Sequence, residues 1–128
     1  MSSITPTPEA IQQLLQSQDS GKVVMLNLLK FKSAAGAASY AEYGKRVAPM
    51  VEALGGRIVY AGPVAQTVIG GGSWDAIALV EYPSRKAFLQ MAMSPEYQAI
   101  HHFRDEGLER TELYATTQQT ELPWRGTK

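Results

Sequence analysis

Nine residues, Val23 to Phe31, form an almost unbroken apolar run whose members are strand formers. Read as a strand, it carries Val23, Met25, Leu29 and Phe31 on one face and Val24, Leu26 and Leu28 on the other. A strand with one wet face alternates apolar with polar residues, and this one does not. It is also too short for a core helix between such flanks. The fold must therefore cover this strand twice.

The rest of the chain supplies partners for it. Thr7-Pro8-Glu9 places a cap, a proline and an acid in the order that opens a helix, and Ile11, Leu14 and Leu15 continue it until Asp19-Ser20-Gly21. This short helix is expected on the surface of the core domain. After strand 1, Gly36 with its Ala and Ser neighbours reads as a loop. From Tyr40, residues Tyr43, Val47, Met50 and Leu54 recur at helical spacing. Pro49 should kink that helix, and Gly55-Gly56 should stop it. Arg57 to Ile69 reads as strand 2, interrupted at Gly62-Pro63, and Trp74 to Tyr82 as strand 3, so that the two form a hairpin around Gly70-Gly71-Gly72. Pro83-Ser84 starts a helix through Phe88 and Met91. Ser94-Pro95-Glu96 restarts one that runs to Glu106 and stops at Gly107. Arg110 to Gln118 is strand 4.

The core order is strand, helix, strand, strand, helix, strand, which predicts a ferredoxin-like α+β sandwich with a four-stranded antiparallel sheet covered by helices on one side. The expected organisation is a helical extension over residues 1–21, the ferredoxin-like domain over 22–118 and a tail over 119–128 that carries Trp124. Strand 3 repeats the pattern of strand 1, with Ile77 and Leu79 on one face and Ala78 and Val80 on the other. With both helices on the first sheet face, a second copy of the same sheet is the cheapest cover for the other. The expected partner is the chain itself, as a homodimer.

Composition removes several alternatives. Of 128 residues, 45% are hydrophobic and 19% charged, as in an ordinary globular domain. Twelve Lys and Arg balance twelve Asp and Glu, which argues against nucleic acid or a membrane surface as partner. No cysteine is present, so disulfides, thiolate nucleophiles and Cys-zinc sites are excluded. The first twenty residues hold neither Lys nor Arg nor a long apolar run, and cytoplasmic location is the expectation. No phosphate loop, dinucleotide fingerprint or nucleophile elbow occurs, and adjacent histidines on a helix make a poor metal pair. No cofactor and no metal is expected.

Seven segments, taken in order, resemble a known family: VVMLNLLKFK at 23–32, Tyr40 with Tyr43, Val47-Ala48-Pro49, Gly55-Gly56-Arg57, Trp74-Asp75, Glu81-Tyr82-Pro83-Ser84 and Ser94-Pro95-Glu96-Tyr97. The set resembles the dimeric α/β-barrel superfamily and, within it, a small bacterial family of unknown function. The resemblance implies a sheet-to-sheet dimer with a pocket between sheet and helices. It implies no established reaction. Haem-degrading members of the superfamily place an Asn on strand 1, a Trp on strand 3 and a His on the second helix, although here the spacing from Trp74 to His101 is longer.

The polar residues of interest fall into two groups. On helix 94–106, Tyr97, Ile100 and, if the helical path continues that far, Leu108 define an apolar side that contains Arg104, has His101 at its edge and leaves His102 pointing away. A buried arginine needs a carboxylate, a carbonyl or an anionic ligand, and Asp75 or Glu81 is the expected ion-pair partner. If the protein is catalytic, Asp75 or His101 serves proton transfer, Arg104 stabilises an anion and Asn27 orients the ligand. Asp75 on a partly apolar face would have a raised pKa. The second group, Asn27, Tyr43, Tyr60, Trp74 and Tyr97, supplies candidate ligand contacts. Each also has a plain structural reading, as a satisfied buried amide or as an aromatic core residue with one wet end. The function expected is that of a homodimeric small-molecule pocket protein, with a cofactor-independent enzyme acting on a polar aromatic or oxygenated compound as its catalytic form. The alternatives are a non-catalytic ligand-binding or structural dimer and a haem-degrading monooxygenase-like protein.

Overall fold

Thr7 opens helix α1 (Pro8–Gln16), its hydroxyl accepting the Ala10 N–H at 3.1 Å. The computed structural model describes residues 6–17 and 21–118; the expected stop at Asp19-Ser20 and the tail with Trp124 lie outside the described residues. The elements that follow are β1 (Val23–Phe31), α2 (Ala34–Ala53), β2 (Arg57–Pro63), β3 (Ala76–Tyr82), α3 (Arg85–Ala92), α4 (Pro95–Gln98), α5 (His101–Gly107) and β4 (Leu108–Thr116). The sheet order is β2-β3-β1-β4 and every neighbouring pair is antiparallel. This is the ferredoxin-like α+β fold.

The pairing register assigns the two faces of β1. Val23, Met25 and Leu29 are buried beneath the helices, with Val47 and Val51 of α2 and Met91 of α3 completing the core. Val80 and Tyr82 stand opposite Met25 and Val23 and share that face. Val24, Leu26 and Leu28 point to the other face with Ile77 and Leu79, and no helix among the described residues covers them. Truncating a side chain as buried as Leu29, 2% exposed, costs about 2–5 kcal/mol in a core of this kind.

Several boundaries differ from the sequence reading, among them the start of β3, which lies at Ala76 and not at Trp74. Helix α2 begins at Ala34, ahead of Tyr40, because Ser33 caps it by accepting the Gly36 N–H at 3.1 Å. Gly36 is a helical residue, and its missing side chain lets the α2 backbone approach Gly107 at the end of α5. The helix then runs through Pro49 and ends where Gly55, at φ 89°, takes the left-handed conformation. Strand β2 stops at Pro63, and its irregularity lies between Ile58 and Tyr60, a β-bulge that adds one residue against β3. The helix expected over 94–106 is two short helices separated at Ala99 and Ile100, and β4 starts at Leu108 immediately after Gly107.

Candidate functional site

Between the sheet and the helices lies a cavity of about 520 Å³, within the range typical of small-molecule sites. Its floor is the helix-facing side of β1, β2 and β3, including Met25, Asn27, Ala61 and Ala78. α2, α3, α4 and α5 form its walls, and α1 adds Ile11 and Leu14. The first helix is thus more than a surface appendage, since it closes part of the cavity.

The lining is apolar where Tyr82 meets Phe88 edge to face with ring centres 5.1 Å apart, beside Met91 and Val51. It is polar where α2, α4 and α5 bring their hydroxyls and charges together. Tyr43 on α2 and Tyr97 on α4 share a hydrogen bond of 2.9 Å between their hydroxyls. The Tyr97 ring lies nearly parallel to that of His101, 17° between planes and 6.4 Å between centres. His101 Nδ1 is 2.8 Å from Asp105 Oδ2 one turn along α5. Arg104 is 9% exposed, with Nη1 3.8 Å from the second oxygen of the same Asp105 carboxylate.

This arrangement sets protonation states. A carboxylate oxygen accepts, so Nδ1 of His101 is the donor in that contact and Nε2 is the ring nitrogen that it leaves over. Burial pushes the Tyr40 phenol up to about 12, with the Arg104 charge pulling the other way. Burial likewise raises Tyr43 well above the ordinary tyrosine value, and the neighbouring Tyr97 adds to the shift. These hydroxyls stay protonated, as donors. Asn27 contributes the opposite polarity. Its Nδ2 donates to Met25 O at 3.3 Å and to Ala78 O at 3.2 Å, which fixes the amide orientation and leaves Oδ1 as the acceptor on the cavity floor.

Five of the eight residues singled out from sequence come together here: Asn27, Tyr43, Tyr97, His101 and Arg104 all line the cavity. Asp75, Tyr60 and Trp74 are outside its lining. Asp75 sits at the end of β1, where Oδ2 accepts the Phe31 N–H at 2.8 Å and Oδ1 is 3.4 Å from Lys30 Nζ. The Phe31 N–H leads the effects that hold its carboxyl below the usual range, which corrects the expected upward shift. Trp74 lies under the Arg110 guanidinium, 4.2 Å from its ring centre. Asn27, Trp74 and His101 therefore do not converge as the haem-degrading pattern requires. Tyr60 is 55% exposed, and its register opposite Leu79 turns it to the uncovered sheet face.

The expected ion pair of Arg104 with Asp75 or Glu81 is also corrected. Glu81 lies opposite Val24, on the far side of the sheet, and pairs with Arg57 Nε at 3.3 Å and Lys22 Nζ at 4.0 Å. Asp105 is the carboxylate beside Arg104. The sequence reading missed Asp105, although its spacing of four from His101 on a helix was the available signal. It also missed Tyr82 and Phe88 as cavity residues.

Comparison with known proteins fits this architecture. A protein of unknown function from Rhodopseudomonas palustris, solved as a crystal structure, is 30% identical, with a TM-score of 0.86 over 94% of this chain and 100% of its own. SnoaB, a cofactor-independent oxygenase from Streptomyces nogalater, shares the fold at 14% identity and TM-score 0.59, over 81% of this chain and 99% of that one. A dimeric protein of unknown function and ferredoxin-like fold from Bacteroides fragilis aligns at 16% identity and TM-score 0.51, covering 75% and 95%. No curated protein matches the chain. Residues 22–116 match the domain of unknown function DUF1330, and with the Rhodopseudomonas likeness running almost end to end, the chain belongs to the DUF1330 family.

Proposed function

We propose that the chain is a homodimeric small-molecule pocket protein acting as a cofactor-independent enzyme on a polar aromatic or oxygenated compound. The observation that carries this reading is the polar part of the cavity lining, where a histidine oriented by a carboxylate faces the same space as a buried arginine and a pair of tyrosine hydroxyls. A base, an anion-stabilising cation and neutral donors are what proton transfer at an oxygenated substrate needs. The apolar part accommodates the body of such a compound. SnoaB supports the reading at the level of the scaffold, which in that protein hosts chemistry without a cofactor. The homodimer is supported by the uncovered apolar face of β1 and β3 and by the dimeric Bacteroides neighbour.

Two measurements test it. An apolar fluorescent dye such as anilinonaphthalene sulfonate should bind the folded protein saturably, and Ala61→Trp or Ala92→Trp, each filling the cavity from a different wall, should abolish that binding. Solvent deuterium should then enter the acidic carbon of members of a panel of aryl ketones and hydroxyaromatics in the presence of chelator. His101→Gln should stop this exchange and keep dye binding. Dye binding with no exchange across the panel would leave the non-catalytic alternative standing.

A further inference from the structure

The charges in the polar part of the lining restrict what the cavity can hold. Arg104 is positive and Asp105 negative, and they lie 3.8 Å apart. Among the described residues, the groups that face His101 are Asp105 from its own helix, Tyr97 from α4 and, through Tyr97, Tyr43 from α2. The tyrosines are neutral donors. A weak acid that enters neutral and gives its proton to His101 adds no net charge to this space. The ligand then carries the negative charge, the imidazolium the positive one, and the sum is unchanged.

We infer that the cavity selects weak acids of the phenol or enol type and binds them as their conjugate bases, the proton passing to Nε2 of His101. This rests on the pocket reading above and names the class of compound the pocket takes. One bond breaks, the ligand O–H, and one forms, Nε2–H; no electrons change hands. Asp105 holds the Nδ1–H and thereby presents Nε2 as the base, so it is a positioning residue, and it stabilises the imidazolium once formed. Arg104 faces the developing oxyanion across the same space. In the paired hydroxyls of Tyr43 and Tyr97, one O–H is consumed in the mutual bond and the other is left to donate. Asn27 is fixed as an acceptor by its two carbonyl partners, so a second donor on the ligand, a hydroxyl or an amine, meets it on the floor. The class is thus an apolar ring or chain with one acidic oxygen and a further hydrogen-bond donor.

4-Nitrophenol is a direct probe, because its phenolate absorbs visibly and its phenol does not. Added to the wild-type protein at a pH where the free compound is mostly protonated, it should show the phenolate band, its ionisation constant raised about tenfold or more, equivalent to about one pKa unit. His101→Gln should bind the compound as the neutral phenol, and Asp105→Asn should lower the ionised fraction, whereas His102→Gln should change nothing. 4-Nitroanisole, which has no proton to give, should bind about tenfold or more weakly than 4-nitrophenol to the wild type, and that preference should vanish in His101→Gln. Binding of 4-nitrophenol without ionisation, equal ionisation in His101→Gln, or no binding at all would overturn the inference. If the variants do not fold, the wild-type band and the nitroanisole comparison still decide. Dye uptake that 4-nitrophenol displaces without ionising leaves the pocket reading intact and removes this one, while absence of dye uptake removes the pocket reading itself.

Discussion

Gly36 and Gly107 meet backbone to backbone: a methyl group on Gly36 would stand 2.7 Å from the Gly107 carbonyl oxygen, and one on Gly107 would stand 2.5 Å from that of Gly36. The first turn of α2 and the last of α5 are thereby held together at the end of β1, where the Lys32 N–H also donates to Gly107 O at 3.0 Å. Together with the Ser39 hydroxyl, which donates to Phe103 O at 2.8 Å, this contact joins two of the helices that wall the polar side chains.

Gly36→Ala and Gly107→Ala should therefore each destabilise the protein by about 1–3 kcal/mol, the usual range for overpacking, and lower Tm by several degrees. Because the clash is with backbone, no rotamer change relieves it. Calorimetry checks this, with Gly44→Ala, where the added methyl meets nothing within 4 Å, as the control that should be neutral or slightly stabilising.

Charges on the two faces of β1 should behave differently. Leu29→Glu places a carboxylate under the helices in a site 2% exposed and should abolish folding. Leu28→Glu, on the uncovered face opposite Ile77, should leave a folded protomer and dissociate the proposed dimer. Circular dichroism with light scattering separates the outcomes. A wild-type mass near that of one 14.0 kDa chain would defeat the dimer.

Alkaline pH should unfold the protein through its tyrosines. Tyr40 is raised to about 12, and Tyr43 and Tyr82 are raised by burial as well. A folded-state pKa above the unfolded value of about 10 means that the unfolded chain loses its protons first. Stability is whole below about pH 10 and falls as pH rises from there towards the folded values. Spectrophotometric titration should show Tyr40, Tyr43 and Tyr82 ionising together with loss of structure. Smooth titration of all six tyrosines without unfolding would contradict this.

Arg104→Met tests the corrected charge arrangement. Asp105 keeps His101 as a partner at 2.8 Å, so the part of the loss that comes through this carboxylate should stay below the roughly 3–5 kcal/mol that follows breaking an isolated buried pair. Thermal unfolding measures it, and a loss of the full amount would show that Arg104 braces the fold through more than Asp105. Binding of 4-nitrophenol should weaken in the same variant.

Much of this architecture was written in local patterns. The bounds of β1 follow from its apolar run, the α2 stripe from its period and the β2–β3 hairpin from the glycines between them, because each depends on neighbours in sequence. Gly36 was misread for the opposite reason: the residue that requires a glycine there is Gly107, distant in the chain. The division of helix 94–106 was invisible because the break at Ala99 and Ile100 hardly disturbs the angular period. At the site, Asn27, Tyr43, Tyr97, His101 and Arg104 were legible as polar or amphipathic groups on buried stripes. Which of the others shared their cavity was not, since the face of Tyr60 depends on a bulge and the partner of Glu81 on a register that only pairing reveals.

The residues that identify the family begin at 22, yet Ile11 and Leu14, which help to close the cavity, belong to α1 and precede that boundary. The residues proposed to handle the proton are thus encoded within the shared domain, while part of the cavity wall is encoded outside it. Such a division is modular: α1 can be altered in length or sequence to admit a different body without disturbing His101 or Asp105. Two proteins of the same fold and the same polar residues can then diverge in what they accept through a leading helix that the family signature does not contain.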